Sequence, residues 1–418
     1  MTYQENYSAV VAQENYCLAR QPICNTESET AAYELLYRNN PDQTDARVSC
    51  PHEATARVLT LAFMDIGIRP LAGKLPVYVN MTDELLLRKD ILPKPADQIV
   101  LEVLEDIPPT PEILDALKDL KSQGYKIALD DFVLNPKTRA FLPYADIIKL
   151  DVMSCSRATL EKRVSILKKQ SGIVLLAEKV ETWDEFHECK AMGFDLFQGY
   201  FLSRPEILNN RPKSDSGMLI AQLLAEIYKA DPDVAELEKL ISRDPQLYYR
   251  IIKYVNSALY SLPNEISSLR HAITLLGLDQ LKRIVSMLAL AGSSKRAPSL
   301  MPVALIRAKM CQNLAESRGE QNAESFFTIG LLSMLDAFFQ RPMDMILEDL
   351  PLQKSIKEAL LTHSGKGGEV LDTVITYEKG MWEDLSSSEE QTILTNAYIQ
   401  SVIWADEVSG ITSLAKGK

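Results

Sequence analysis

The stretch Lys126-Ile127-Ala128-Leu129-Asp130-Asp131-Phe132 is a short apolar run that closes on two adjacent carboxylates. Taken alone, an Asp pair in that position caps a helix or opens a loop. The same kind of ending recurs along the first half of the chain. Val77-Tyr78-Val79 stops at Asn80, Ile99-Val100-Leu101 at Glu102, Ile147-Ile148 at Lys149 and Asp151, Ile173-Val174-Leu175-Leu176-Ala177 at Glu178, and Phe194-Asp195-Leu196-Phe197 at Gln198. If these runs are the strands of one parallel barrel, their ends share a rim, and Glu34, Asn80, Glu102, Asp130 and Asp131 face one another. So many carboxylates repel unless cations neutralise them, and hard oxygen donors select Mg²⁺, Mn²⁺ or Ca²⁺ over zinc. Two such ions side by side can ionise an attacking water and clamp a phosphodiester oxygen.

The elements that must position these residues alternate between strand-like and helical patterns from about Tyr16 to Pro205. Between Glu102 and Asp130, Ile113, Leu114, Leu117 and Leu120 fall on one helical face, with Gly124 placed to end the segment. Residues 157–170 put Leu160, Val164 and Leu167 on one face before Gly172, and Trp183 to Met192 stop at Gly193. Repeated strand-helix units over about two hundred residues predict a small (β/α) barrel. A doubly wound open sheet is the alternative.

Composition bounds the rest. The chain has 418 residues, 46% hydrophobic and 24% charged, enough for two or three domains with a sizeable core. A net charge of -12 argues against general binding of nucleic acid or anionic membrane. The N-terminus carries no signal-like segment and no apolar run reaches bilayer-spanning length, so the expected location is cytoplasmic. The six cysteines show no metal-ligand spacing and are read as reduced and mostly buried.

Several blocks in order resemble one family. Tyr33-Glu34-Leu35-Leu36-Tyr37-Arg38 is similar to the E-x-L-x-R signature of EAL domains, the phosphodiesterases that linearise cyclic di-GMP, and it follows Arg20-Gln21-Pro22-Ile23, similar to that family's opening strand. Val79-Asn80, Leu101-Glu102-Val103-Leu104-Glu105, Leu129-Asp130-Asp131-Phe132, Ile148-Lys149-Leu150-Asp151, Ala177-Glu178-Lys179-Val180-Glu181-Thr182 and Phe197-Gln198-Gly199-Tyr200-Phe201 look like the remaining blocks. The resemblance implies a TIM-like barrel over residues 1–205. In it Glu34, Asn80, Glu102 and Asp130 would hold one Mg or Mn ion, and Asp130 and Asp131 would contribute to a second. Glu178 and Glu181 would complete or order that second side. Lys149 would act beside the metal-bound water, with Glu34 and Glu178 sharing the catalytic centre. Arg38 would face a ligand phosphate, and Gln198 would orient water or ligand.

The chain also departs from the pattern. Active EAL domains follow Asp-Phe with a glycine-rich loop, whereas here Phe132 precedes Val133-Leu134-Asn135-Pro136-Lys137-Thr138. Pro136 fixes its own φ and restricts Asn135, so this loop is expected to take a different path from the family's. Lys179 stands where the family usually has glycine.

After Pro205 the composition turns polar, and residues 206–216 read as a linker. Residues 217–418 read as all α, with Asp231-Pro232 and Asp244-Pro245 as helix starts and apolar stripes such as Leu247, Ile251, Ile252 and Val255. Arg243 to Leu247, Val255 to Tyr260 and Leu269 to Leu278 resemble the HDOD module, a helical relative of the HD phosphohydrolases. None of the four histidines precedes an Asp, so the resemblance implies an interaction module without its own metal centre. The fold expected is therefore α/β plus all-α: an EAL-type barrel followed by an HDOD helical bundle.

The favoured sequence reading is a signal-transduction protein whose EAL barrel has weak or absent phosphodiesterase activity and senses cyclic di-GMP, with a protein partner on the HDOD half. The alternatives are an active Mg/Mn-dependent phosphodiesterase and a scaffold that binds no nucleotide. A homodimer is left open.

Overall fold

The computed structural model describes residues 16–39, 68–88, 92, 96–170, 172–203, 215–229, 231–256, 268–291, 297–385 and 388–413. The expected linker lies, except for its last two residues, outside the described residues, as do residues 257–260 of the HDOD-like blocks.

Eight strands close into a barrel in chain order: β1 (Tyr16–Asn25), β2 (Thr30–Asn39), β3 (Val77–Met81), β4 (Ile99–Val103), β5 (Lys126–Leu129), β6 (Ile147–Asp151), β7 (Val174–Glu178) and β8 (Leu196–Gln198). Strands β2 to β8 run parallel, but β1 is antiparallel to both β2 and β8, which corrects the all-parallel expectation. The cause is local. Asn25 Oδ1 accepts the N–H groups of Glu27 and Glu29, each at 2.9 Å, and Ser28 takes a left-handed φ of 63°. This tight Asx-type turn sends β2 straight back along β1, where a parallel pairing would need a long crossover.

Helices on the outside of the barrel begin and end where side-chain chemistry allows. Short helices α1 (Ile68–Ala72) and α2 (Asp83–Leu87) flank β3. In α3 (Pro111–Ser122) Thr110 Oγ1 caps Ile113 N–H, a proline occupies the first turn, and Ile113, Ala116, Leu117 and Leu120 are buried. Helix α4 (Arg157–Leu167) buries Leu160, Val164 and Leu167, and α5 (Trp183–Met192) opens with a capping box between Thr182 and Glu185 and closes at Gly193 with φ 104°.

The alternation of strand side chains stacks the barrel interior in layers. Ile23, Ala32, Tyr78, Val100, Ala128, Ile147 and Leu176 form one buried cluster, with Val174 and Leu196 packed against it. Two residues further along the same strands come Glu34, Asn80, Glu102, Asp130, Lys149, Glu178 and Gln198, so the period of two places them on the same inward face one layer higher. An apolar floor beneath a polar layer excludes water from one side of the rim.

By internal contacts the chain divides into two units, Met1–Leu202 with Thr376–Ile399, and Ser203–Ile375 with Gln400–Lys418. Thr376–Ile399, within the span expected for the helical half, thus groups with the barrel. The Tyr377 hydroxyl donates to the Leu18 carbonyl at 2.9 Å and accepts from Leu18 N–H at 3.3 Å, and the Tyr398 hydroxyl accepts from Arg20 N–H at 2.9 Å. These hydroxyls serve the backbone of β1 on the stretch that β8 does not reach, since β8 pairs only with Ile23, Cys24 and Asn25.

The second unit is helical: α6 (Asp215–Ile227), α7 (Val234–Ser242), α8 (Pro245–Val255), α9 (Leu269–Leu276), α10 (Leu278–Ala291), α11 (Ala297–Ser317), α12 (Ala323–Leu332), α13 (Leu335–Phe339), α14 (Met343–Glu348), α15 (Lys354–Thr362) and most of α16 (Gly365–Glu378). Helix α17 (Ser388–Ser413) ends the described chain. A Cβ on Gly330 would collide with the Arg307 carbonyl and the Ala308 backbone, so glycine is what lets α12 lie directly against α11. No described helix is long and apolar enough to cross a membrane.

Candidate active site at the barrel rim

One ammonium sits among four carboxylates. Lys149 Nζ, on β6, lies 2.7 Å from Glu102 Oε1 (β4), 2.8 Å from Asp130 Oδ1 (just past β5), 2.9 Å from Glu178 Oε1 (end of β7) and 3.4 Å from Glu34 Oε2 (β2). The side chains of Lys149 and Glu102 are 1% and 0% exposed. Amide donors complete the ring. Gln198 Nε2 donates to Glu34 Oε2 at 2.6 Å and to Gln21 Oε1 at 2.9 Å, and Asn80 Nδ2 donates to Glu34 Oε1 at 3.4 Å.

Local backbone features bring the ends together. Asp130 N–H donates to the Val103 carbonyl, carrying the chain one step past β5, and Asp131 then takes φ 41°. Asp tolerates that left-handed region better than most residues. Val180 N–H donates to the Gln198 carbonyl at 3.0 Å, and Gly199 lies so close that a Cβ there would overlap the Val180 backbone. Gly199 therefore permits β8 to end against the end of β7, which holds Gln198 near Glu178.

Four carboxylates around one ammonium cannot all ionise cheaply out of water. Burial, reinforced by the charges of Glu34 and Asp130, pushes the Glu102 carboxyl well above its ordinary range despite Lys149. Burial likewise pushes Glu178 up to about 7, with Lys149 opposing the shift and Asp130 and Glu34 adding to it. Burial also disfavours the Lys149 ammonium, but Glu102, Glu34, Glu178 and Asp130 together outweigh it, so the lysine stays charged. The ring is thus an ammonium sharing protons with a surplus of carboxylates.

The donor set fits a hard divalent cation. Glu102 Oε2 and Glu178 Oε2 are buried and take no hydrogen bond among the described residues, an arrangement a cation would satisfy. Among the described residues no three His, Cys, Asp or Glu side chains are spaced to hold a metal ion, and the Lys149 ammonium lies among these carboxylates.

Asp131 and Glu181 are not among the four carboxylates on Lys149; Glu181 is exposed, and its N–H donates to Glu185 Oε2. Arg38 lies on β2 opposite Cys17, and its side chain is outside the described residues.

Comparison with known proteins identifies the domains. The EAL domain matches residues 64–205 and the HDOD domain residues 217–341. The chain is 36% identical over 373 residues to the cyclic di-GMP phosphodiesterase CdgJ of Vibrio cholerae, across 88% of this chain and 85% of that one. The chain belongs to the EAL–HDOD family. Another member-length relative, the uncharacterized protein YuxH of Bacillus subtilis, is 35% identical over 395 residues, 91% of this chain and 95% of its own. Among solved structures, Klebsiella pneumoniae BlrP1, as a calcium and cyclic di-GMP complex, is 26% identical with a TM-score of 0.37, covering 46% of this chain and 56% of that one.

Two residues of this EAL rim, Gln21 and Tyr78, escaped the sequence reading, and a third, Asp151, was read there only as the polar end of its strand. Gln21 carries the hydrogen bond that anchors Gln198, and its signal was its register opposite Glu34 in the β1–β2 hairpin. Tyr78 lies directly beneath Asn80, its hydroxyl made a weaker acid by burial and by the charges of Glu102 and Glu34, with Lys149 opposing. Asp151 ends β6 in register with Glu178 and pairs with Lys179, 2.5 Å from Nζ to Oδ2.

Proposed function

We propose that the barrel is a Mg- or Mn-dependent phosphodiesterase that opens cyclic di-GMP to the linear dinucleotide, and that the helical unit engages a protein partner. The observation that carries this reading is the convergence of Glu34, Glu102, Asp130 and Glu178 on Lys149 at one barrel rim, and the likeness to CdgJ supports the substrate. Glu34, Asn80, Glu102 and Asp130 would hold one ion, and Asp130, Asp131, Glu178 and Glu181 the second side. A bound ion would polarise the phosphodiester and acidify an attacking water. Lys149 balances the carboxylates around it and is placed to stabilise negative charge on a ligand at the rim. Gln198, held by Gln21, keeps Glu34 pointed inward. Arg38 would meet a ligand phosphate with a planar fork.

A second reading, binding without turnover, draws on the loop after Phe132. That loop is closed by its own side chains: Asn135 Oδ1 accepts from Lys137 and Thr138 N–H, and Thr138 Oγ1 donates to the Val133 carbonyl. Such a turn is built for order rather than for the freedom glycines give. Chromatographic assay of cyclic di-GMP hydrolysis by the full chain with Mn²⁺ or Mg²⁺ separates the two. Turnover that vanishes in Glu34→Gln and Glu102→Gln supports the enzyme. Retained binding by calorimetry with no turnover supports the sensor.

A further inference from the structure

Residues 376–399 lie beyond both matched domains and group with the barrel. They finish an edge that the barrel leaves open. Strand β8 reaches β1 only at Ile23, Cys24 and Asn25, where Gln198 stands in register with Ile23. Further back along β1, Leu18 is bonded to the Tyr377 hydroxyl and the Arg20 N–H to the Tyr398 hydroxyl. Gln21 lies between these two stretches, beside Arg20 and ahead of Pro22, which has no N–H to offer a neighbour. Gln21 Oε1 accepts from Gln198 Nε2 at 2.9 Å, and the same nitrogen donates to Glu34 Oε2 at 2.6 Å. Both N–H groups of that amide are committed, so a shift of Gln21 turns the amide on Glu34 or breaks one of the two bonds.

The same segment meets the chain close to the other two residues of this set. A Cβ on Gly380 would stand 3.6 Å from Leu36 Cδ1, two residues past Glu34 on β2. Lys379 Nζ lies 4.8 Å from the ring centroid of Tyr200, two residues past Gln198. The segment is also braced within itself. Trp382 Nε1 donates to the Tyr377 carbonyl at 3.0 Å, Gln391 Nε2 donates to the Trp382 carbonyl at 3.0 Å, and the buried Tyr377 and Tyr398 rings lie 5.5 Å apart.

We propose that Tyr398 is a positioning residue for the rim: by fixing the Arg20 N–H it sets the place of Gln21, and through Gln21 it holds the Gln198 amide on Glu34. Its effect on turnover rests on the reading that the rim hydrolyses cyclic di-GMP. A strand bonded along one edge shifts more easily than one bonded along both, and Tyr398 supplies the second edge next to Gln21. Tyr377 separates this role from plain support of the fold. Its hydroxyl serves both polar groups of Leu18, so it carries more stability, but Leu18 is three residues from Gln21.

The test compares full-length wild type, Tyr398→Phe and Tyr377→Phe at a temperature where all three are folded. The first readout is solvent exchange of the Gln198 side-chain amide, followed by NMR of metal-free protein labelled with ¹⁵N at glutamine and assigned by the signal lost in Gln198→Glu. Exchange should quicken by roughly fivefold in Tyr398→Phe and by less in Tyr377→Phe, although Tyr377→Phe melts lower. The second readout is hydrolysis of cyclic di-GMP with Mn²⁺, where kcat should fall further in Tyr398→Phe than in Tyr377→Phe. An unchanged Gln198 signal in Tyr398→Phe would overturn the proposal. So would a response that follows the melting temperatures, since that order marks a purely structural role. The expected order at Gln198 with no turnover in any of the three proteins would support the positioning and overturn the phosphodiesterase reading instead.

Discussion

Lys149 Nζ lies 2.7 Å from Glu102 Oε1, with both side chains shut away from water. A pair so placed is a poor source of net stability, because desolvation offsets most of the attraction. Its use is to make a concentration of carboxylates tolerable in the absence of a metal. The lysine is the only cation in contact with Glu34, Glu102, Asp130 and Glu178 among the ion pairs of the described residues.

Removing that cation should therefore be costly. Lys149→Met leaves Glu102 buried without its partner, and breaking a buried pair on one side costs roughly 3–5 kcal/mol. Proton uptake by Glu102 and Glu178 softens the loss at low pH. Urea denaturation of the metal-free variant should show a deficit that is larger at pH 8 than at pH 5. A variant as stable as wild type at pH 8 would mean the carboxylates do not depend on the ammonium.

The second prediction concerns Glu178. Its carboxyl moves from an ordinary 4.5 to about 7 in the folded chain, chiefly by burial. A folded-state pKa raised above the unfolded one means the native state binds the proton more tightly, so this contribution to stability is full below pH 4.5 and is lost as pH rises through 7. Its size is on the order of 3 kcal/mol. Metal-free protein should lose stability across that window, and Mn²⁺ should restore it while releasing protons. Calorimetry at pH 6 in two buffers of different ionisation enthalpy measures that release. A buffer-independent heat would show that no carboxylate at the rim was protonated.

The layout of this rim was readable from the chain because strand periodicity is strict. Each of Glu34, Asn80, Glu102, Asp130, Lys149, Glu178 and Gln198 sits two residues beyond an apolar floor residue, and a period of two allows one inward face. The antiparallel β1 was not readable, since the Asn25 to Glu29 turn lacks the Asn-Gly or Asp-Gly pair that marks a two-residue hairpin. Nor was the grouping of Thr376–Ile399 with the barrel, because helical periodicity says which face is apolar and never what it meets. Gln21 escaped for a third reason: its role depends on cross-strand register, which a single strand does not encode.

Gly199 offers a test of how the last strand is seated. Its φ of 150° and its contact with the Val180 backbone leave no room for a methyl group. Gly199→Ala should cost several kcal/mol, about what an overpacked core site does at the upper end, and should displace Gln198 from Glu34. Gly193→Ala meets only the end of the Lys168 side chain and suffers the strain of φ 104° alone, roughly 1 kcal/mol. Thermal melts of the two variants should rank in that order. Equal losses would mean the approach of Gly199 to Val180 is relaxed in solution.

The last prediction concerns the tyrosines on β1. The Tyr377 hydroxyl donates to Leu18 O and accepts from Leu18 N–H, while the Tyr398 hydroxyl accepts only from Arg20 N–H along that strand. Tyr377→Phe therefore strands both polar groups of one buried peptide position, and Tyr398→Phe strands one. An unsatisfied buried group costs about 1–3 kcal/mol, so Tyr377→Phe should be the more destabilising by on the order of 1 kcal/mol. The aromatic packing of Tyr377 on Trp382 and Tyr398 survives in both variants, since neither loses its ring. Hydrogen exchange gives the local reading: Leu18 and Arg20 amides should lose protection in the matching variant while amides of β4 and β6 keep theirs. Loss of protection spread evenly around the barrel would show that these hydroxyls support the whole sheet rather than the edge of β1.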